Sequence, residues 1–132
     1  MRKEIQRVSE YLGHILQAIG RIDLYTSSIN PATFMENTMV QDAVLRNIEI
    51  IGEAARNVER HHPGTAAKHP EIPWEDIYLM RNRVSHGYFS VDLDLVWKTV
   101  RGDIPVLKGQ VTELLHQIGH APDLNPASDS KK

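Results

Sequence analysis

The stretch Met80–Phe89 holds the side chains of this chain that are best suited to chemistry. Arg81, Asn82, His86 and Tyr88 fall within about two helical turns of one another. An arginine offers phosphate a planar fork of hydrogen-bond donors, and a histidine gains or loses a proton near neutral pH. These two residue types are the minimum that cleavage of a phosphodiester requires without a metal ion.

Cleavage of RNA by such a pair uses the ribose 2′-hydroxyl as the nucleophile. The hydroxyl attacks the adjacent phosphorus, a base takes its proton, and an acid protonates the departing 5′ oxygen. His86 suits either proton transfer, a role worth about 10²–10⁴ in rate. Arg81 suits the stabilisation of charge on the phosphate oxygens in the transition state. Arg83 suits a phosphate-binding contact with the RNA backbone.

Helix geometry restricts how Arg81 and His86 can cooperate. Five residues of a regular helix rotate by about 500°, which leaves the two side chains roughly 140° apart. One arrangement ends the helix between Ser85 and Gly87, where glycine is a typical left-handed stop. The other arrangement places two copies of the motif face to face across a dimer. On a continuing helix Asn82 shares a face with His86, where it can hold the imidazole or bind a phosphate oxygen.

Composition indicates one domain with a helical core, and it excludes several kinds of site. The chain has 132 residues, a net charge of -2 and no cysteine. The absence of cysteine excludes disulfides, thiolate metal sites and cysteine nucleophiles, and it fits a reducing cytoplasm. No apolar stretch approaches membrane-spanning length, so we expect a cytoplasmic protein without a membrane partner. We place the domain at residues 1–119 and a disordered tail, rich in Pro, Ser, Asp and Lys, at residues 120–132.

The slightly acidic charge argues against broad coating of nucleic acid, since proteins that bind by counterion release are usually basic. Positive charge must therefore be local if the protein acts on RNA. The candidates for that local charge are Arg46, Arg56, Arg60, Arg81 and Arg83.

Apolar residues recur three and four positions apart in long segments, which predicts helices. The first helix fades near Ser27, and the second runs from about Thr33 to just before His61. Gly52 lies inside the second helix at a cost of about 1 kcal/mol relative to alanine. We therefore expect close approach of another helix at Gly52.

The second half of the chain predicts a loop and two further helices. Residues 61–72 lack periodicity and are assigned to a loop. Pro73 begins a short third helix that carries the motif. A long fourth helix should kink near Gly102, because Pro105 removes an interior hydrogen bond. With no strand-like alternation, the prediction is an all-α, antiparallel four-helix bundle.

Two segments of the sequence carry a family resemblance. The first is Trp74-x-x-Ile77-x-x-Met80-Arg81-Asn82-x-x-x-His86-Gly87-Tyr88-Phe89, followed by Asp92-x-Asp94-x-Val96-Trp97. The second is Asn47-Ile48-Glu49-Ile50-Ile51-Gly52-Glu53-Ala54-Ala55. Together they resemble the HepT family of HEPN-domain toxins. The resemblance covers roughly residues 3–118, and its central block is specific.

The resemblance implies a HEPN-type helical bundle that forms a homodimer and acts as a metal-independent endoribonuclease toxin on tRNA or mRNA. It makes Arg81 and His86 the catalytic pair, with Asn82 in a supporting place and no cofactor. The antitoxin of the family is a minimal nucleotidyltransferase, MntA, which transfers AMP to the tyrosine that corresponds to Tyr88. Negatively charged AMP at that position would compete for Arg81 and repel the RNA backbone.

Simpler interpretations stand beside the functional ones for the motif residues. Arg81 and His86 also fit a surface arginine and a histidine at a helix end, and Asn82 fits a helix-end residue. Tyr88 also fits an aromatic side chain that packs on Phe89 and Trp97.

The same holds for polar residues elsewhere. Asn47 and Glu53 lie in or beside the apolar stripe of the second helix, where they form interhelical hydrogen bonds or line the cleft. The histidines of residues 61–72 lack a carboxylate at metal-ligand spacing, and we expect no metal site. At the level of function, the alternatives are a non-catalytic HEPN module that docks a nucleotidyltransferase or binds nucleotide, and a purely structural helical protein.

Overall fold

The computed structural model describes residues 2–86 and 90–119; for His86 it describes only the backbone. The described part is built from seven α-helices, one π-helical turn and a two-stranded hairpin. In chain order they are α1 (Arg2–Thr26), α2 (Pro31–Glu36), α3 (Thr38–His61), α4 (Pro63–Lys68), α5 (Trp74–Arg83), β1 (Ser85–His86), β2 (Ser90–Val91), α6 (Leu93–Lys98), the π-helix (Thr99–Asp103) and α7 (Ile104–Gly119). No described helix is long and apolar enough to cross a membrane.

Four of these segments form an antiparallel bundle, which confirms the predicted all-α fold. The end of α3 lies beside the start of α1, where His62 Nδ1 is 3.9 Å from Glu4 Oε2. The end of α1 lies beside the first turns of α7, where Lys108 Nζ is 3.6 Å from Asp23 Oδ2. The motif-bearing helix α5 packs on α3, and α6, the π-helix and α7 together form the fourth member.

The core lies between α1 and its two neighbours α3 and α7, and the predicted apolar stripes of these helices are the buried residues. Because these positions recur every three or four residues, each helix buries one continuous face. The buried set includes Val8, Leu12, Ile15, Ile19 and Ile22 of α1, Val44, Ile48, Ile51 and Val58 of α3, and Ile104, Leu107, Val111 and Leu114 of α7.

The predicted second helix is wrong at its start, because the structure divides it into α2 and α3. Asn30 caps α2 by accepting a hydrogen bond at its Oδ1 from the Thr33 amide, at 2.8 Å. Asn37 ends α2 and caps α3 in the same way, with the Val40 amide donating at 3.0 Å. An asparagine side chain satisfies a free amide of the new helix, so the backbone can change direction there.

The predicted loop at residues 61–72 is also partly wrong. It contains the short helix α4, which begins at Pro63 directly after the end of α3. A proline is favoured in a first helical turn because its missing N–H has no partner to lose there. Six residues are too few to show an apolar period, which explains why the pattern did not reveal this helix.

The fourth helix is irregular where the sequence predicts a kink. Residues Thr99–Asp103 form a π-helix around Gly102, and the regular α-helix resumes at Ile104. Pro105 has no amide to donate, and its ring would clash with the carbonyl four residues earlier in a regular helix. The wider π turn accommodates both effects.

The segment after α5 corrects the expectation that the chain contains no strand. The helix ends at Arg83, earlier than the predicted stop at Gly87, and Ser85 and His86 pair with Val91 and Ser90 in an antiparallel hairpin. Residue 87 itself lies outside the described part. The Asp92 amide donates to the Val84 carbonyl at 2.7 Å, which extends the hairpin back to the helix end.

Gly52 confirms the predicted close approach of a second helix. A Cβ added to Gly52 would lie 3.3 Å from the carbonyl oxygens of both Ile77 and Tyr78 in α5. Those neighbours are backbone atoms, which cannot swing aside as a side chain can. The glycine therefore sets the distance between α3 and α5, and with it the width of the cleft described below.

We expect Gly52→Val to destabilise the protein by about 1–3 kcal/mol, because overpacking at a backbone contact forces the helices apart. Urea unfolding followed by circular dichroism measures the change. Gly20→Ala is the matched control: it lies in α1 with nothing within 4 Å of an added Cβ, and it should gain about 1 kcal/mol from helix propensity. Equal stability of Gly52→Val and the unmodified protein would contradict the packing role of Gly52.

Candidate active site

An open cleft of about 330 Å³ lies between α3 and α5, next to the end of the motif helix. Its walls carry charged, aromatic and amide side chains at positions that the two helices hold fixed. The lining residues are Arg46, Glu49, Gly52 and Glu53 from α3, and Tyr78, Arg81 and Asn82 from α5.

Arg81 is fixed in this cleft by an acidic residue of the neighbouring helix. Its Nε donates a hydrogen bond to Glu49 Oε2 at 3.1 Å. The other carboxylate oxygen of Glu49 lies 3.8 Å from Nη1 of Arg46, one helical turn earlier. The Arg81 side chain is still 33% exposed, so its guanidinium group remains accessible to a ligand in the cleft.

Tyr78 lies one turn before Arg81 on α5 and lines the same cleft. The guanidinium carbon of Arg56 lies 4.3 Å from the centre of the Tyr78 ring, a cation–π geometry. The contact joins α3 and α5 a second time, two turns from the Arg81–Glu49 pair on the α3 side. The two contacts run in opposite residue order on the two helices, as expected for antiparallel neighbours.

Three of the sequence-predicted site residues lie together in the cleft: Arg81, Asn82 and Glu53. Asn82 and Glu53 are both exposed. Asn47 is not with them, since it is buried in α3 and its Nδ2 donates to the Ala43 carbonyl of its own helix at 2.8 Å. The Oδ1 atom of Asn47 is buried without a hydrogen-bond partner among the described residues.

Arg83 lies on the opposite side of α5 from the cleft. It lines a second groove of about 250 Å³, between α5 and α7, together with Asp76 and Met80. Its Nη2 atom donates to the Asp76 carbonyl at 3.4 Å. Arg81 and Arg83 therefore do not face one ligand within a single chain, and phosphate binding by Arg83 stays a prediction.

His86 lies beyond the end of the motif helix, in strand β1. Because α5 stops at Arg83, the angular separation calculated for a continuous helix does not apply. The helix ends before His86, as in the first of the two arrangements considered from the sequence, but it ends at Arg83 and not between Ser85 and Gly87. The expectation that Asn82 and His86 share a helical face was wrong. The position of the His86 side chain and the whole of Tyr88 lie outside the described residues.

A hydrogen bond links the end of α5 to strand β1, which carries His86. The Ser85 hydroxyl donates to the Arg81 carbonyl at 3.0 Å, which satisfies an acceptor at the helix end. Past the hairpin, Asp92 Oδ1 accepts from the Leu95 amide at 3.0 Å and caps α6. Asp92 of the motif block is thus the N-cap of α6.

Sequence reasoning missed Glu49 and Tyr78. A signal for Glu49 was available, because it lies three residues after Arg46 and four before Glu53, on one helix face. Its partner Arg81 is 32 residues away, however, and only the folded structure brings the two together. Within the described part of the chain, no three His, Asp or Glu side chains are grouped as possible metal ligands.

The two tryptophans, Trp74 and Trp97, both contact other parts of the fold. Trp74 is buried and its Nε1 donates to the His69 carbonyl at 3.2 Å. Trp97 packs on Phe34, with ring centres 5.1 Å apart, and the guanidinium carbon of Arg101 lies 4.5 Å from the centre of the Trp97 ring. Both tryptophans are packing residues.

Comparisons with known proteins identify a family and several relatives. The family model described as "Ribonuclease HepT-like" matches residues 15–114. A Thermococcus cleftensis protein named "Probable ribonuclease HepT" is 42% identical over 105 residues, which cover 80% of this chain and 93% of that protein. A Caldanaerobacter subterraneus subsp. tengcongensis protein named as a proposed RNase is 35% identical over 107 residues, 81% of this chain and 93% of its own length.

A third relative is longer than this chain. It is a Methanocaldococcus jannaschii protein named as a gamma-glutamylcyclotransferase and proposed RNase, 38% identical over 118 residues. The match covers 89% of this chain and 50% of that protein. No solved structure matches the chain. The family model spans the cleft, the motif helix and most of the bundle, so the chain belongs to the HepT-like ribonuclease family.

Proposed function

We propose that this protein is the endoribonuclease toxin of a toxin–antitoxin pair, that it cleaves tRNA or mRNA without a metal ion, and that AMP transfer to Tyr88 silences it. The observation that carries the proposal is the placement of Arg81. It is held in an open cleft at the end of α5, and the backbone of His86 follows directly after the helix end. Membership of the HepT-like ribonuclease family supports the same reaction class.

Each motif residue has a role in the proposed reaction. The Nη groups of Arg81 bind the non-bridging oxygens of the scissile phosphate and stabilise the charge that develops there. Asn82, next to Arg81 in the cleft, donates from its amide to a phosphate oxygen. His86 transfers a proton, either from the attacking 2′-hydroxyl or to the departing 5′ oxygen.

A homodimer completes this proposal, because the reaction needs two proton transfers and each copy of the motif holds one histidine. Two motifs that face each other would supply one histidine as base and the other as acid. Local positive charge from Arg46 and Arg56 would then flank the RNA from both copies. The partner that restrains the dimer is a MntA-like nucleotidyltransferase.

The test is RNA cleavage by the purified protein in EDTA, compared with Arg81→Ala and Arg81→Lys. We expect the unmodified protein to cleave and Arg81→Ala to be slower by about 10²–10³, the usual cost of losing a group that stabilises transition-state charge. Lysine should not restore the rate, because it lacks the planar fork. Arg21→Ala, an exposed arginine of α1, is the matched control and should cleave normally.

Two results would count against the proposal. Absence of cleavage by the unmodified dimer on any RNA offered would favour the non-catalytic HEPN module that docks a nucleotidyltransferase or binds nucleotide. Cleavage that persists in Arg81→Ala at the normal rate would assign the activity to a contaminant or to another site.

A further inference from the structure

A second residue of the cleft has a contact whose geometry matters for the proposed reaction. Glu49 accepts the hydrogen bond from Arg81 through the Nε atom, at 3.1 Å. In residues 2–86 and 90–119, the structure records no hydrogen-bond partner for the two Nη groups of Arg81. The contact therefore occupies the inner nitrogen of the guanidinium group and leaves the outer donors available to a ligand.

This geometry determines more than distance. The guanidinium group is planar, so fixing the direction of the Nε–H bond also fixes the plane in which the Nη donors lie. An arginine without such a partner distributes its long side chain over many rotamers, and each ordered hydrogen bond then has to be formed at the moment of binding. A partner on a separate, well-packed helix removes that freedom in advance.

Charge points to orientation and not to attraction as the role of Glu49. A carboxylate in the cleft repels an RNA phosphate and partly neutralises Arg81, so it weakens attraction for the substrate. Glu49 can favour the reaction only if the better alignment of Arg81 outweighs this weaker attraction for the substrate. Glu53 provides an internal contrast, since it lines the same cleft one turn later but no contact with Arg81 is recorded for it.

We propose that Glu49 is a positioning residue, which orients the guanidinium group of Arg81 toward the scissile phosphate. The inference rests on the proposed ribonuclease function and adds one residue to it. Glu49 touches no reacting atom in this account, and it acts only through Arg81. Because misplacement of a binding group by about 1 Å costs up to 10²-fold in rate, loss of the contact should be measurable.

The test compares Glu49→Ala, Glu49→Gln and the control Glu59→Ala, an exposed glutamate of the same helix. Two quantities are measured: the single-turnover cleavage rate on a labelled RNA, and the Kd for the same oligonucleotide with 2′-deoxy sugars, which cannot be cleaved through the 2′-hydroxyl. Glu49→Ala should cleave about 10- to 100-fold more slowly, yet bind as tightly as the unmodified protein or more tightly. Glu49→Gln keeps an oxygen acceptor without the charge and should recover most of the rate.

The inference is overturned if Glu49→Ala cleaves at the normal rate, or if its slower cleavage is accompanied by equally weaker binding. It is also overturned if Glu49→Gln is as slow as Glu49→Ala, because an oxygen acceptor at this position would then not restore the rate. Failure of the proposed function looks different, because the unmodified protein itself would then leave RNA intact.

A readout that does not depend on activity completes the design. The Nε–H group of Arg81 should give a separate, slowly exchanging ¹H–¹⁵N resonance, assigned by its loss in Arg81→Lys. The resonance should persist in Glu49→Gln and merge with the exchanging arginine signals in Glu49→Ala. Its presence in Glu49→Ala would show that Glu49 does not hold the side chain, whatever the protein does to RNA.

Discussion

Replacing His86 with alanine is expected to lower the rate of RNA cleavage by about 10²–10⁴, the range typical of losing a positioned proton-transfer group. Some activity should remain, because Arg81 would still bind and polarise the phosphate. The measurement is single-turnover cleavage of a labelled RNA in EDTA, with the melting temperature recorded for each variant to check folding.

The control for this substitution is His61→Ala. His61 is an exposed histidine at the end of α3, so its loss removes an imidazole without touching the motif. The control should cleave at the normal rate. If His86→Ala also cleaved normally, the proton transfers would have to be assigned to other groups, and His86 would have no catalytic role.

Adenylylation of Tyr88 is expected to abolish cleavage altogether. Tyr88 lies two residues after His86 in the sequence, so the added phosphate would bring negative charge close to the proposed binding position of the RNA phosphate at Arg81. Protein coexpressed with its nucleotidyltransferase should gain the mass of one adenylyl group and lose its ribonuclease activity. Tyr88→Phe should keep its original mass and remain active in the same coexpression.

Tyr25→Phe is the matched control, because it removes a tyrosine hydroxyl from α1, far along the sequence from the motif. It should be modified and silenced like the unmodified protein. A Tyr88→Phe protein that escapes modification and is nevertheless silenced would show that the partner inhibits by forming a complex. Modification of Tyr88→Phe would show that another residue is the acceptor.

The bundle itself was largely predictable from the sequence, because a long amphipathic helix repeats its apolar residues every three or four positions. The stripe from Val8 to Ile22 continues for about four turns without interruption, and the structure buries it as predicted. Gly52 and Pro105 were equally informative, because both residue types are unfavourable inside a helix. Gly52 marks a close contact between helices, and Pro105 marks an irregular helix backbone.

The short elements were harder to predict, for a physical reason. The division at Asn37 lies before the apolar stripe of α3, which begins near Val40, and only the capping side chain signals it. The hairpin of Ser85–His86 and Ser90–Val91 has two residues in each strand, which is too short for any alternation to appear. Such elements are decided by tertiary contacts and by individual capping hydrogen bonds.

The same division applies to the cleft. Residue types and spacing pointed to Arg81, Asn82 and His86, because together they could bind a phosphate and transfer a proton. The sequence did not reveal Glu49, whose partner is distant along the chain. The sequence also suggested that Arg81 and Arg83 would bind the same RNA backbone. In the structure the two arginines line separate grooves on different sides of α5.

The early end of α5 is the structural feature with the most consequence for mechanism. On a continuous helix, Arg81 and His86 would diverge, and a single chain would need a partner to bring them together. Because the helix stops at Arg83, the backbone at His86 is free of that restriction. Dimerisation in this account therefore serves the division of two proton transfers and is not required to overcome helix geometry.

The central claim is that this protein cleaves RNA through the ribose 2′-hydroxyl, and one measurement tests it most directly. A labelled RNA and the same RNA with a single 2′-deoxy sugar at the cleavage position are incubated with the purified protein in EDTA, and the product ends are identified by mass spectrometry. We expect a 2′,3′-cyclic phosphate and a 5′-hydroxyl from the RNA, and no cleavage at the deoxy position. Cleavage at the deoxy position, or products with 3′-hydroxyl and 5′-phosphate ends, would contradict the account.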